Sequence, residues 1–239
     1  MDAVHPLGSL APRDIVSRAI HHEMINSGDP CVFLDLSALD AKYIRERFPY
    51  IHKRCEQSGI DITSEPIPVV PAAHYSCGGV HTDLDGRTNV LHLNAIGETG
   101  CTGLHGANRL ASTSLLECLT DAKFAARADI RDIQEMEFRL PEPQAWKSPE
   151  READLTLVHQ DLNLVQQTMW NYAGIVRSQN RLTRARKMLL ELREEIQVFY
   201  HGCRLTPELI ELRNAVQTAL LVCHAASLNP ESKGCHFVD

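Results

Sequence analysis

The chain has 239 residues, a formal net charge of −7, 44% hydrophobic and 23% charged residues. That length allows one or two domains, and the composition fits an ordinary soluble globular protein. The acidic balance argues against a general nucleic-acid role, which usually needs a basic face. No apolar run approaches the roughly 20 residues of a membrane helix, so no membrane partner is expected. Residues 1–10 lack the charged and apolar regions of a signal peptide, and a cytoplasmic location is expected.

The eight cysteines are scattered and form no C-x-x-C pair. Reduced thiols are the expected state. The Cys223-His224 and Cys235-His236 pairs match no zinc-ligand spacing, so no metal is expected.

In chain order, residues 12–28 read as a helix. Pro12 suits a first turn, Ile15, Val16, Ala19, Ile20 and Met24 recur at helical spacing, and Gly28 and Pro30 stop it. Residues 31–36 form a strand candidate. Residues 38–58 read as one further helix, ended by Gly59. Residues 66–71 hold three prolines and must be extended. A hairpin signal at 83–87 and a strand near 90–95 follow. Gly97, Gly100, Gly103 and Gly106 then lead into a helix from about 109 to 129 or beyond. Clustered glycines between strand and helix let backbone approach a ligand closely.

Residues 137–153 carry three prolines and many charges and read as a linker. Three helices are expected after it, at about 154–178, 180–201 and 206–228. Leu155, Val158, Leu162, Val165 and Met169 mark the inner face of the first. Leu182, Ala185, Leu189, Leu192, Ile196 and Phe199 mark that of the second. Thr206, Pro207 and Glu208 form a helix-start signal for the third. Short connections make the three antiparallel neighbours in a bundle.

The stretch 105–117 places small residues and Arg109 ahead of an apolar helix. A helix start offers free N–H groups and a positive dipole end, which suit an anion. No glycine-rich phosphate loop after an N-terminal strand accompanies it. Taken one at a time, His74 reads as a packed or hydrogen-bonded histidine. Glu98 reads as a surface carboxylate and Arg109 as a helix-end ion pair. His21, His22 and His105 read as structural or solvent-exposed, with His105 a possible pocket wall.

Longer motifs lift the reading. Residues 9–14, 69–80, 96–98 and 102–119, together with 170–177 and 211–214, resemble the L-aspartate oxidases over nearly the whole chain. The wider superfamily includes the flavoprotein subunits of succinate dehydrogenase and fumarate reductase. Cys77 before the glycine pair and Ala111-Ser112 after Arg109-Leu110 favour the oxidase branch over a dicarboxylate reductase, as does Ala11-Pro12-Arg13-Asp14.

The resemblance implies an α+β fold. It comprises a partial capping domain (1–65), a C-terminal segment of an FAD-binding α/β domain (66–136), the linker (137–153) and a helical bundle (154–239). The family oxidises L-aspartate to iminoaspartate with FAD, which oxygen or fumarate reoxidises, and feeds quinolinate synthase in NAD biosynthesis. By resemblance, Arg13 is the catalytic proton-transfer residue, and His74 and Arg109 hold the substrate carboxylates. Glu98, Ser114 and Leu115 contact the cofactor. An arginine fork can grip a carboxylate with two parallel hydrogen bonds, and histidine adds a donor. A helix N-terminus at 113–115 would stabilise the anionic edge of a reduced flavin. Oxidation at Cα requires orientation over the flavin more than acid–base work.

The family's glycine fingerprint for the FAD pyrophosphate has no counterpart in these residues. The expected partners are therefore L-aspartate and either a separate N-terminal FAD domain or quinolinate synthase. The alternative is a catalytically inactive remnant or interaction module.

Overall fold

The computed structural model describes residues 1, 3–135, 142–147 and 149–239. The chain divides into two compact units, Met1–His74 and Tyr75–Asp239.

In the first unit, α1 (Arg13–Ser27) begins after Pro12, whose φ of −49° is already near helical and which has no N–H to satisfy. It ends at Gly28, whose amide bonds Met24 O. Strand β1 (Val32–Leu34) pairs antiparallel with β2 (Ile67–Val69), placing Phe33 opposite Pro68. Both strands of a two-stranded ribbon are edges, so the missing N–H of Pro68 costs no ladder bond.

The single helix expected at 38–58 is in fact two, α2 (Ala41–Arg47) and α3 (Pro49–Gln57). Asp40 caps α2, accepting the Tyr43 amide at 2.9 Å. Phe48 then leaves the helix (φ −126°, ψ 51°) because a residue before proline is pushed out of the α region. Pro49 restarts the next helix at its first position. Ala11, Ile44 and Ile62 are the buried apolar residues of this unit.

In the second unit, β3 (Val80–His81) lies parallel to β4 (Gly100–Cys101). Gly79 is pressed so close to the Thr99 carbonyl that a side chain there would collide with backbone. The strand expected near 90–95 is absent. Residues 88–93 turn back on themselves: Thr88 Oγ1 donates to Leu93 O at 2.8 Å and accepts the Val90 amide at 3.1 Å. Side-chain bonds to local backbone here replace a ladder partner, leaving one bridge between Arg87 and Asn94.

Helix α4 (Ser114–Glu135) starts five residues later than the expected 109. Ser112 adopts φ 66°, and Thr113 Oγ1 donates to Leu110 O at 2.7 Å, closing the turn ahead of the helix. The inward face of α4 is acidic and small. Glu117, Ala125 and Ala128 are buried. Asp121 accepts the Gly97 amide, Asp129 accepts from Asn94, and Asp132 takes two bonds from Arg87 at 2.8 and 2.9 Å. The apolar stripe Leu115, Leu119, Ile130 and Ile133 is exposed.

The linker expected at 137–153 lies partly outside the described residues; 142–147 are irregular. Beyond it, α5 (Leu155–Ala173), α6 (Gln179–Gly202) and α7 (Pro207–Leu228) form the expected three-helix bundle. Helix α5 stops short of the expected 178 at Gly174, and Leu155, expected inside, is half exposed. The other inward residues pack as the spacing requires: Val158, Val165, Leu182, Ala185, Leu189, Leu192 and Ile196 are buried, with Leu162, Met169 and Phe199 against them. Asp154, Ser178 and Thr206 cap the three helices through side-chain oxygens.

Residues 233–239 return from the bundle as a strap. Arg177 N donates to Phe237 O, and Asp239 N donates to Arg177 O at 2.8 Å. Arg177 Nη1 lies 2.8 Å from His236 Nδ1. At its other end, Cys235 N donates to Ala107 O at 2.9 Å. Gly234, with φ 57°, meets the same carbonyl so closely that no side chain would fit. The strap thus ties the bundle to the loop that precedes Arg109.

Candidate substrate and flavin site

The geometry of the site is set by Tyr75 and by the first turn of α4. The Tyr75 hydroxyl donates to Glu117 Oε2 at 2.8 Å. His105 Nε2 approaches the same oxygen at 2.6 Å, and both side chains of that pair are almost wholly buried. Tyr75 and His105 meet edge to face, 5.2 Å between centroids. Burial, then the hydrogen bond to the Glu117 carboxylate, hold the Tyr75 hydroxyl well above the ordinary tyrosine range, so it remains a donor.

Arg109 lies on the face of Tyr75, its guanidinium carbon 4.6 Å from the ring centroid. Its Nη1 donates to Leu110 O at 3.0 Å. The next residue along, Ser76, donates its backbone N–H to Glu98 Oε1 at 2.9 Å. Arg109 and Glu98 therefore flank one dipeptide, Tyr75-Ser76. Glu98 sits in a single 3-10 turn, Gly97–Thr99, and is exposed.

Ser114 and Leu115 open α4. Ser114 is partly buried, while Leu115 is 78% exposed. The first amides of a helix lack intrahelical acceptors and sit at its positive end. They suit the anionic edge of a flavin ring, five residues after a guanidinium that suits a carboxylate. Leu104 and Leu110 in the loop before α4, and Leu115 and Leu116 in its first turn, are all exposed. For the pyrophosphate of FAD, the chain has no glycine-rich strand-to-helix loop.

Arg13 and His74 belong to the first unit. Arg13 is exposed at the start of α1, one residue before Asp14, which forms a 2.8 Å ion pair with Arg18. His74 is exposed in the irregular stretch after β2. No group of metal-ligating side chains occurs among the described residues, and none of their helices is long and apolar enough to cross a membrane.

Reading the sequence missed the polar centre of the site. Tyr75 and Glu117 appear only inside longer motifs, and His105 is left as structural by default. A signal was present: Glu117, Asp121 and Ala125 recur at i, i+4 and i+8, opposite the leucines of the same helix.

Residues 2–115 match the family model described as "FAD binding domain", and residues 162–239 match "Fumarate reductase flavoprotein C-term". FAD is thus the cofactor of the fold. The chain is 48% identical over 242 residues to L-aspartate oxidase 1 of Ralstonia nicotianae, covering 99% of this chain and 45% of that protein. It is 46% identical to the L-aspartate oxidase of Pseudomonas aeruginosa, over 99% of this chain and 44% of that one. Among solved structures, a quinol-fumarate reductase with menaquinol molecules superposes with a TM-score of 0.79 at 30% identity, over 96% of this chain and 44% of the other. The chain spans a little under half the length of the curated relatives it matches. Nearly the whole chain is thus similar to proteins named L-aspartate oxidase, and its last third matches the C-terminal model of the fumarate reductase flavoproteins.

Proposed function

We propose that this chain supplies the substrate-gripping wall of an L-aspartate oxidase, converting L-aspartate to iminoaspartate as the first step towards NAD. The observation that carries this reading is Arg109, held on the face of Tyr75 five residues ahead of the first residue of α4. The similarity to proteins named L-aspartate oxidase supports the choice of substrate.

In this reading residues 1–65 are part of the capping domain, 66–136 the last segment of the FAD-binding domain, 137–153 a linker and 154–239 the bundle. Arg109 grips one substrate carboxylate with its planar fork, and His74 donates to the other. Arg13 is the proton-transfer residue of the capping domain. Glu98 accepts from the flavin's ribityl or ribose hydroxyls. The amides of Ser114 and Leu115 would hold the ring edge of the flavin, where the α4 dipole would favour negative charge. When bound, FAD supplies the two-electron acceptor. The pyrophosphate is held by a separate N-terminal FAD domain, and quinolinate synthase consumes the product.

The test is flavin content, read from the flavin absorbance bands, for the chain alone and mixed with a separately expressed N-terminal FAD domain. Flavin bound by the mixture, with peroxide released on adding L-aspartate, is the expected result. Flavin bound but not bleached by L-aspartate in the absence of oxygen, or none bound at all, would reject the oxidase reading in favour of an inactive remnant.

A further inference from the structure

We propose that Glu117 is a positioning residue for Arg109, acting through Tyr75: one carboxylate oxygen holds the tyrosine hydroxyl and the His105 ring, and the held tyrosine face sets the guanidinium where it meets a dicarboxylate. This inference rests on the reading of Arg109 as a substrate ligand, and it assigns a role to a residue that touches neither substrate nor flavin.

Three observations carry it. First, Glu117 is buried on the inner face of α4, although its neighbours Leu115, Leu116 and Leu119 point outward. A buried carboxylate is retained against its desolvation cost only where it is bonded. Second, its Oε2 lies 2.8 Å from the Tyr75 hydroxyl and 2.6 Å from His105 Nε2, and the His105 ring meets the Tyr75 ring edge to face at 5.2 Å, so the tyrosine is held at its hydroxyl and against its ring. An ionised carboxylate is acceptor-only, so both partners must present a hydrogen to it. The tyrosine donates its hydroxyl proton, and a proton on His105 Nε2 makes the second bond. Third, the face of that same tyrosine receives Arg109 at 4.6 Å.

Arginine has many rotamers, and each disordered one reduces the fraction of time its fork faces a ligand. A flat ring locked from behind removes that freedom before substrate arrives, as preorganisation demands. Tyr75 is thus a platform, Arg109 the gripping group, and Glu117 with His105 the brace.

The experiment uses the full chain with succinate, a dicarboxylate lacking the amine, as the probe. Binding is followed by titration calorimetry and by the Nε–Hε resonance of Arg109. Glu117→Gln keeps the shape of the side chain but replaces the charged acceptor with a neutral amide oxygen, which holds the Tyr75 and His105 donors more weakly. It is expected to weaken succinate binding about tenfold and to broaden the Arg109 resonance. Tyr75→Phe keeps the ring and removes only the hydroxyl, so it tests the same link if Glu117→Gln unfolds. Its expected loss is about three- to tenfold. In an Arg109→Lys background, Glu117→Gln is expected to change affinity less than about twofold, because the group it positions is gone.

An equal loss in both backgrounds would reduce Glu117 to a fold-stabilising residue and overturn the proposal. Unchanged affinity and a sharp Arg109 resonance in both Glu117→Gln and Tyr75→Phe would also overturn it, leaving the Arg109 reading intact. Unchanged affinity in Arg109→Lys alone, or no binding by the unsubstituted chain, would instead strike the substrate-site reading on which it rests.

Discussion

The helical bundle and the segment at 75–135 use apolar residues in opposite ways. In the bundle, Leu182, Leu189, Ile196, Leu209, Leu212 and Val216 are fully buried against one another, and each helix begins at a side-chain cap. In the segment at 75–135, the buried apolar side chains are Ala125 and Ala128, while Leu110, Leu115 and Leu119 are each more than 70% exposed. That segment is held by carboxylates: Asp132 on Arg87, Asp129 on Asn94, Glu117 on Tyr75 and His105. The bundle closes its own core. The site-bearing segment turns polar groups towards its own loops and leaves its leucines for something else to cover.

The sharpest way to break this contrast is to separate the regions. Residues 149–239 expressed alone are expected to unfold in one cooperative urea transition, whereas residues 75–135 alone should show no cooperative transition. A single transition for both would remove the distinction. Within the bundle, Leu212→Ala is expected to cost about 3 kcal/mol by urea denaturation, since a fully buried leucine leaves a cavity. Thr206→Ala removes the oxygen that accepts the Leu209 amide and is expected to cost about 1 kcal/mol.

Leu119→Ser in α4 should change stability by less than about 0.5 kcal/mol, because an exposed side chain loses no packing. A cost as large as that of Leu212→Ala would show that the stripe is covered in solution.

The smallest effect concerns Asp161 in α5. Burial, with the Glu195 charge second, pushes its carboxyl above the ordinary value of 3.8. The folded state therefore holds the proton more tightly than the unfolded one, and stability falls as pH rises from about 3.8 through the raised folded value. Asp161→Asn should raise the melting temperature at pH 7 by on the order of 1 °C, and the gain should vanish below that window. An equal gain at every pH would rule out titration of Asp161 as its cause.

Much of the bundle was legible in the sequence because its helices are amphipathic in the usual sense. Apolar residues at 3.6 spacing face inward, so Leu182, Leu189 and Ile196 could be placed before any coordinates. Leu155 is half exposed at the first position of α5, where Ala153, two residues earlier, packs against the core instead. Helix α4 defied the same rule, since its apolar stripe faces outward and its acidic face inward. Hydrophobic periodicity finds a helix but cannot say which face has a partner within the chain. The break at Phe48-Pro49 was readable from proline sterics and was overlooked. The turn at 88–93 was not: its residues alternate as a strand would, and only Thr88 bonding its local backbone decides against one. The role of Arg109 came from motif resemblance. The Tyr75, His105 and Glu117 brace, spread over 42 positions, became visible only in three dimensions.

The strap at 233–239 also bears on the order in which the molecule assembles. Its Cys235 meets Asn108 across 127 positions of chain. Contacts that distant are slow to close, because the entropy of a long loop must be lost before the contact forms. On the ribosome, at about 5–20 residues per second, the loop before Arg109 waits several seconds for the residues that fasten it. The bundle must form first to deliver them. The loop before Arg109 is thus among the last parts of the second unit to be fastened, and a nascent chain leaves that loop untied until its bundle stands.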